Sequence, residues 1–429
     1  MFRRFLITAI AAALVSAFWV LPASAQDANE ALKEHEEGKQ HEWVAKWSNG
    51  HKIEKGKAFK LKFGGRIQAD YSFFSVDSDL TGPFGADVFQ DGFEFRRARL
   101  FFEGTIYDRV SFKAQYDFAG GDADFKDVWI GLDFDFGKLR FGHFKEFFSL
   151  EELTSSKYLA FMERSLPVEA FAPSRNSGVG IDGGGEKLNW GFGVFYDADD
   201  FGESISEERY NATGRIGFRP IVSEDGKRLL HVGAGINWRE IGDIDSILGD
   251  ARFRARPENH LTTRLVDTSI FPADGATIWN LELAGVFNRF WFSGEYFNNS
   301  VDAPEVDDPT FTGWYAQAGF YLTDDHRRFK NSYGVWDRQK PHSSWDLKDG
   351  GIGAWEIAIR FSSVDLADGL INGGKEDNYT LGINWYLNPA TRLMLNWVHA
   401  DVKDGNIPIL DARPDGSGDA YMMRWQVDF

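Results

Sequence analysis

Between Ala58 and Phe429 the chain alternates apolar and polar side chains with a period of two, broken at Gly, Asn, Asp and Pro. That pattern marks β-strands with two chemically different faces. In the first segment Phe59, Leu61, Phe63, Ile67, Ala69 and Tyr71 share one face, while Lys60, Lys62, Arg66, Gln68 and Asp70 share the other. A helix would mix the two sets. The pattern returns in Val110, Phe112, Ala114, Tyr116 and Phe118 against Arg109, Ser111, Lys113, Gln115 and Asp117, and again over 188–196, 379–387 and 421–429. A soluble sandwich joins short strands by abundant loops and turns its apolar faces inward. Here the strands are long, and their apolar rows often end in Trp, Tyr or Phe, as where a lipid-facing band meets its two interfaces. In hydrocarbon every backbone donor must be paired within the protein, so such a sheet has to close. The expected fold class is all-β, a transmembrane antiparallel β-barrel over residues 58–429.

The alternation predicts sixteen strands, near 58–75, 92–107, 109–118, 125–136, 138–146, 178–183, 187–198, 207–219, 227–240, 277–287, 289–299, 310–323, 352–364, 376–387, 391–402 and 418–429. Sixteen strands suffice to enclose an aqueous lumen, with long external loops alternating with short periplasmic turns. The expected external loops are 76–91, 119–124, 147–177, 199–206, 241–276, 300–309, 365–375 and 403–417. One connection breaks the rule: 324–351 falls on the periplasmic side yet is long, implying either two further short strands or an unusual element at the inner mouth.

Arg3 and Arg4, the apolar run Phe5–Leu21 and the Ala23-Ser24-Ala25 step read as a removed signal peptide, residues 1–25. Residues 26–57 are polar and charged and are expected to form a short periplasmic helix or a disordered arm; their His35, His41 and His51 match no metal-ligand spacing. Beyond residue 25 no stretch approaches the roughly 20 apolar residues of a membrane-spanning helix. Removing the signal takes two Arg and no acid from 47 basic and 65 acidic residues. An exported chain this acidic is not a nucleic-acid binder. With no Cys in the chain there is no site for a lipid anchor.

No nucleophile elbow, zinc-helix, phosphate-loop or dithiol motif is present, so neither catalysis nor a cofactor is expected. Adjacent Glu151 and Glu152 read as a solvated pair pointing apart. Arg252, Arg254 and Arg256 would place three guanidinium groups on one face of an extended segment, with Arg264 beyond. Such a ladder suits an anion path, since Arg binds phosphate oxygens through a bidentate fork. The other reading is a solvated basic loop paired to Asp250, Glu258 and lipopolysaccharide. Lys60, Lys62, Arg66, Arg109 and Lys113 on the lumen face, against Asp70 and Asp117, predict a positive inner wall, and selectivity follows that local field rather than net charge. The loop 147–177 contains Ser155 and Ser156 within a locally helical stretch, Ser149–Met162, and reads either as a constriction folded into the lumen or as a surface flap.

Four motifs carry a resemblance: Phe63-Gly64-Gly65-Arg66-Ile67-Gln68; Phe95-Arg96-Arg97-Ala98-Arg99; Phe141-Gly142-His143-Phe144-Lys145; and Leu150-Glu151-Glu152-Leu153-Thr154-Ser155-Ser156-Lys157 running to Met162-Glu163-Arg164. From about Phe63 to Phe429 the chain resembles the phosphate-selective porin O and P family of Gram-negative outer membranes. The resemblance implies a homotrimer of sixteen-stranded barrels set in outer-membrane lipid and lipopolysaccharide, with an inward loop and an arginine ladder leading phosphate or other small anions to a central site. It implies that Arg96, Arg97, Asp127, Ser155, Ser156 and Arg164 are site residues and that Arg252, Arg254 and Arg256 form the ladder. Where phosphate-specific members place a Lys in the constriction loop, this chain has Glu152, which favours a general or cation-tolerant porin as the alternative. A non-conducting adhesive or structural barrel is the reading from another class.

Overall fold

The computed structural model describes residues 43–47, 50–56, 58–77, 80, 89–204, 210–241, 250–408 and 413–429. Strands β1 (Val44–Trp47) and β2 (His51–Lys55) precede the barrel strands β3 (Phe59–Val76), β4 (Gly92–Ile106), β5 (Val110–Asp117), β6 (Asp124–Phe134), β7 (Gly137–Lys145), β8 (Arg175–Gly184), β9 (Leu188–Tyr196), β10 (Tyr210–Val222) and β11 (Arg228–Glu240). The next external loop carries four two-residue strands, β12 (Asp250–Ala251), β13 (Arg254–Ala255), β14 (Val266–Asp267) and β15 (Phe271–Pro272). Then come β16 (Gly275–Phe287), β17 (Phe290–Asp302), β18 (Thr310–Tyr321), the short β19 (Phe329–Lys330) and β20 (Val335–Trp336), and β21 (Ala354–Asp368), β22 (Ile371–Asn388), β23 (Thr391–Lys403) and β24 (Gly416–Asp428).

The sixteen long strands are antiparallel, and β24 closes on β3 in register from Gly418↔Val76 to Asp428↔Arg66. Turns are tight on one rim: Asn288, left-handed at φ 56, joins β16 to β17 where Phe287 pairs with Phe290, a conformation that Asn tolerates better than most residues. The faces are inverted relative to a soluble protein. Ile130, Phe141 and Ile359 point outward and are 61%, 67% and 61% exposed, while Gln68, Thr213, Asn237 and Arg424 on the inner face are 0% exposed. The apolar rows therefore face outward and are not buried between stacked sheets.

Three expectations are corrected. Residues 44–55 form a hairpin, neither helix nor arm, and β2 lies along Phe59–Phe63 of β3, the edge left open below the end of β24; a free strand edge is a template for pairing. Residues 1–25 and 26–42 lie outside the described residues. The segment 365–375 is mostly strand, because β21 and β22 stay paired through a register shift at Asp365/Ala367 out to Asp368↔Ile371. The helix expected over Ser149–Met162 shrinks to α1 (Leu150–Leu153), which ends as Thr154 turns extended at ψ 131; a second helix, α2 (Leu166–Phe171), starts with Pro in its first turn.

Both alternatives for 324–351 hold: β19 and β20 pair with each other, not with the barrel wall, and form a hairpin at the inner mouth. Its Trp336 is buried edge-on against Trp291, with ring centroids 5.5 Å apart. Loop L3 (146–174) and the described part of loop L5 (250–274) fold inward as well. Phe148, Leu166, Val168 and Phe171 of L3 pack with Phe253, Leu265 and Phe271 of L5 against Ile278, Phe297, Phe311 and Val364 of the wall. Leu150, Ala160 and Phe161 pack with Trp291, Trp336 and Tyr386. Both clusters lean on β16–β18, β21 and β22, so the lumen is filled on that side and open on the other.

Candidate functional site

On the open side, a cavity of about 970 Å³ lies between L3 and the wall of β3–β10. Nine Lys and eight Arg line it, against five carboxylates, Glu103, Asp127, Glu152, Asp182 and Asp337. Two β-bulges concentrate that charge. Neighbouring residues of a regular strand point to opposite faces. Here β3 pairs Gln68 with Arg97 and Ala69 with Phe95, skipping Arg96, and both Arg96 and Arg97 reach the lumen. Between β5 and β6 the pairing jumps from Ala114↔Val128 to Tyr116↔Phe125, so Lys126 and Asp127 together oppose Gln115, and both line the cavity.

L3 is fastened by its helix start. Glu295 of β17 accepts hydrogen bonds from the backbone N–H groups of Leu150 and Glu151 at 3.0 and 2.8 Å and from the Ser149 hydroxyl at 3.1 Å. A carboxylate there satisfies donors that the first helical turn leaves unpaired. Glu151 and Glu152, expected to be solvated, are instead 2% and 6% exposed. They do point apart, and the inward fold of L3 gives each its own partners. Glu151 accepts from the Ser165 N–H and hydroxyl at 2.9 and 2.8 Å and lies 3.4 Å from Arg360. Glu152 lies 2.8 Å from Lys145 Nζ and 2.8 Å from Arg164 Nε. Burial raises the Glu152 carboxyl, but Arg164 and Lys145 outweigh it and hold it below the ordinary carboxylate range.

The predicted residues divide into two groups. Arg96, Arg97, Asp127, Ser155, Ser156 and Arg164 come together around the one cavity. Arg66 Nη1 donates to the Ser156 hydroxyl at 2.9 Å and to Ser155 at 3.4 Å, leaving each serine its own proton to donate. Arg96 grips Glu163 through two bonds of 3.0 Å, and Arg424 reaches the same carboxylate at 2.7 Å. Burial raises Glu163, and the arginines overcome it and keep it well below the usual range. Asp127 bridges Lys113 at 2.7 Å and Arg175 at 2.9 Å.

Arg252, Arg254 and Arg256 do share a face, with Phe253 and Ala255 buried on the other, yet none of them lines the cavity. Arg252 forks onto Asp267 at 2.8 and 2.6 Å, and Arg256 lies 3.2 Å from Glu169 of α2. Asp250 and Glu258 are not their partners; Glu258 is buried against Arg360, Ser362 and Thr380. Lys60, Lys62, Arg66 and Lys113 line the cavity as expected, whereas Arg109 sits before β5 in the turn. Lys145 and Arg175 were not singled out as site residues. They face each other at the strand ends that flank L3, a juxtaposition with no periodic signature.

The family model described as phosphate-selective porin O and P matches residues 61–429. Porin O of Pseudomonas aeruginosa is 27% identical over 414 residues, covering 87% of this chain and 89% of its own length. An uncharacterized protein of Caulobacter vibrioides is 28% identical over 395 residues, covering 89% and 76%. Among solved structures, the trimer form of OmpT, an outer membrane protein of Vibrio cholerae, is similar with a TM-score of 0.54 at 12% identity, covering 87% of this chain and all of that one. An anion-selective porin from Comamonas acidovorans gives 0.53 at 14%, covering 86% and 100%. With its greasy exterior, its charged lumen and a family match that spans the whole barrel, the chain belongs to the phosphate-selective porin O and P family and forms a porin channel in the bacterial outer membrane.

Proposed function

We propose that the channel passes small anions, phosphate among them, down their gradient and with no covalent chemistry. The observation that carries this reading is the contrast between the lining and the chain: seventeen bases against five acids around the cavity, in a protein of net charge −18. Four of the five lining carboxylates are tied up in ion pairs, Glu103 with Lys62, Asp127 with Lys113 and Arg175, Glu152 with Lys145 and Arg164, and Asp182 with Arg140. Many lining bases also pair with carboxylates outside the cavity lining, as Arg99 does with Asp117. Arg66 has no ion-pair partner among the described residues, and Arg97 finds its nearest carboxylate only at 3.8 Å. Those two guanidinium groups and the serine hydroxyls beside Arg66 supply donors that replace part of an anion's hydration, weakly enough to let it leave.

The working form is a homotrimer whose outward rows contact outer-membrane lipid and lipopolysaccharide, and residues 1–25 direct export; likeness to the trimer form of an outer membrane protein and the exposed apolar band support this. Purified protein in a planar bilayer under a potassium chloride gradient tests the selectivity. The reversal potential is expected to move toward the chloride equilibrium, and added phosphate to block the chloride current saturably. A potential displaced toward potassium overturns the anion reading.

A further inference from the structure

The Lys145–Glu152–Arg164 cluster has a feature that neither the fold nor the selectivity requires. Glu152 stands three residues after the N-cap Ser149, whose hydroxyl accepts from the Glu152 N–H at 3.0 Å. A glutamate at that position commonly turns its carboxylate back to the cap. Here the carboxylate turns toward the lumen and lies between an ammonium and a guanidinium group at 2.8 Å from each. All three residues line the cavity that also holds Arg66, Ser155 and Ser156. The backbone beneath is fixed, because Glu295 binds the Leu150 and Glu151 N–H groups and Arg164 binds the carbonyl oxygens of Glu152 and Thr154 at 3.0 and 3.1 Å. The Glu152 carboxylate is thus the part of this anchored turn that is held by its two lumen-side ion pairs.

Resting on the anion reading, we propose that Glu152 is a tethered competitor, whose carboxylate occupies the Lys145 and Arg164 donors that a permeating anion would otherwise engage. Carboxylate and phosphate oxygens satisfy the same donors in the same geometry. An entering anion meets Arg66 and the two serines with no carboxylate to displace, but reaches Lys145 and Arg164 only by displacing Glu152, and the displaced charge stays in the lumen and repels it. The site then binds loosely and releases fast, as conduction requires. Glu152 is a specificity-determining residue that sets affinity without reversing the sign of the field.

The test is the phosphate concentration that half-blocks chloride current in bilayers. For Glu152→Gln it is expected to fall roughly tenfold, with a lower saturating current because exit slows. Glu152→Asp keeps the charge but shortens the reach, so the competitor role requires tighter block there too, by roughly threefold; a pure charge-repulsion role leaves the Asp variant like the parent. Adding Lys145→Met to Glu152→Gln removes the freed donor and should return the block toward the parent value. Unchanged half-block in both Gln and Asp variants, with thermal denaturation like the parent's, overturns the proposal while the anion reading stands. Cation preference in the parent channel is a separate failure, of that reading itself.

Discussion

The two halves of the lumen use similar inward-facing residues to opposite ends. On the filled side, inward charges such as Arg360 are spent holding loops. Arg360 of β21 donates to Glu258 of L5 at 3.0 Å and to the Glu163 carbonyl of L3 at 3.2 and 3.1 Å, lies 3.4 Å from Glu151, and stacks 4.5 Å over Phe161. Glu356 accepts from Trp291 at 2.7 Å, Tyr386 at 2.9 Å and Asn384 at 2.8 Å. On the open side the bulges crowd bases together faster than carboxylates can pair them. Selectivity is made by leaving charge unspent, and this is possible because the opposite wall carries the structural load.

Disrupting the filled side should do the most damage. Arg360→Met strands two buried carboxylates, Glu151 and Glu258, each 2% exposed or less. Removing one partner of a buried ion pair costs about 3–5 kcal/mol. Thermal denaturation should shift down, and the released loops should raise conductance while abolishing phosphate block. An unchanged melting point would mean that the wall does not anchor L3 and L5.

Arg66→Ala tests the other half. Losing a charged donor with no ion-pair partner should weaken phosphate block by about 1.5–3 kcal/mol, roughly tenfold or more, and leave melting almost unmoved. If melting falls instead, the division of labour between the halves is wrong.

Between the halves stands the inner-mouth hairpin. Arg327 binds the Tyr158 carbonyl of L3, lies 3.4 Å from Glu356, and stacks over Trp291 at 4.7 Å and Trp336 at 5.2 Å. Arg327→Gln gives up about 1–3 kcal/mol. The expected outcome is a wider, noisier channel of unchanged sign of selectivity; loss of anion preference would move the selective step to the hairpin.

A smaller and reversible effect is expected from Lys157, which lines the cavity on L3. Burial lowers its ammonium most; Asp428 at 3.6 Å pulls upward and Arg66, Arg338 and Lys113 push down, leaving it at about 7. As pH rises through that value the lumen loses one positive charge, so anion preference should decline between about pH 6 and about pH 8. In Lys157→Arg the decline should vanish; a profile identical to the parent would assign the titration elsewhere.

Most of the barrel was legible because period-two patterning is a strong, local signal: every expected strand is present. What escaped depended on pairing between distant segments. The sequence Phe95-Arg96-Arg97 reads as one arginine in and one out, and only the register skip opposite Gln68 and Ala69 turns both inward. Glu151 and Glu152 look like solvated neighbours until L3 is folded against Arg360 on one side and Lys145 on the other. The hairpin within 324–351 stood out only by its length, because its strands are two residues long and carry no period.

The arginine ladder should matter least. Its chemistry is that of the filled side: Arg252 and Arg256 already have carboxylates, and Arg254 on β13 is half-buried between them. Replacing all three with Ala removes three charges but frees Asp267 and Glu169, so the local field changes by less than the count suggests. The partly exposed Arg256–Glu169 pair is worth about 0–1 kcal/mol, and charges beyond roughly 8–10 Å of the conducting ions are screened at physiological salt. The permeability ratio from reversal potentials should fall by less than about twofold in that salt and somewhat more as salt is lowered. A fall as deep as that of Arg66→Ala, independent of salt, would carry the selective region out of the cavity and up onto L5, and the two halves of the lumen would then have to be redrawn around the loop.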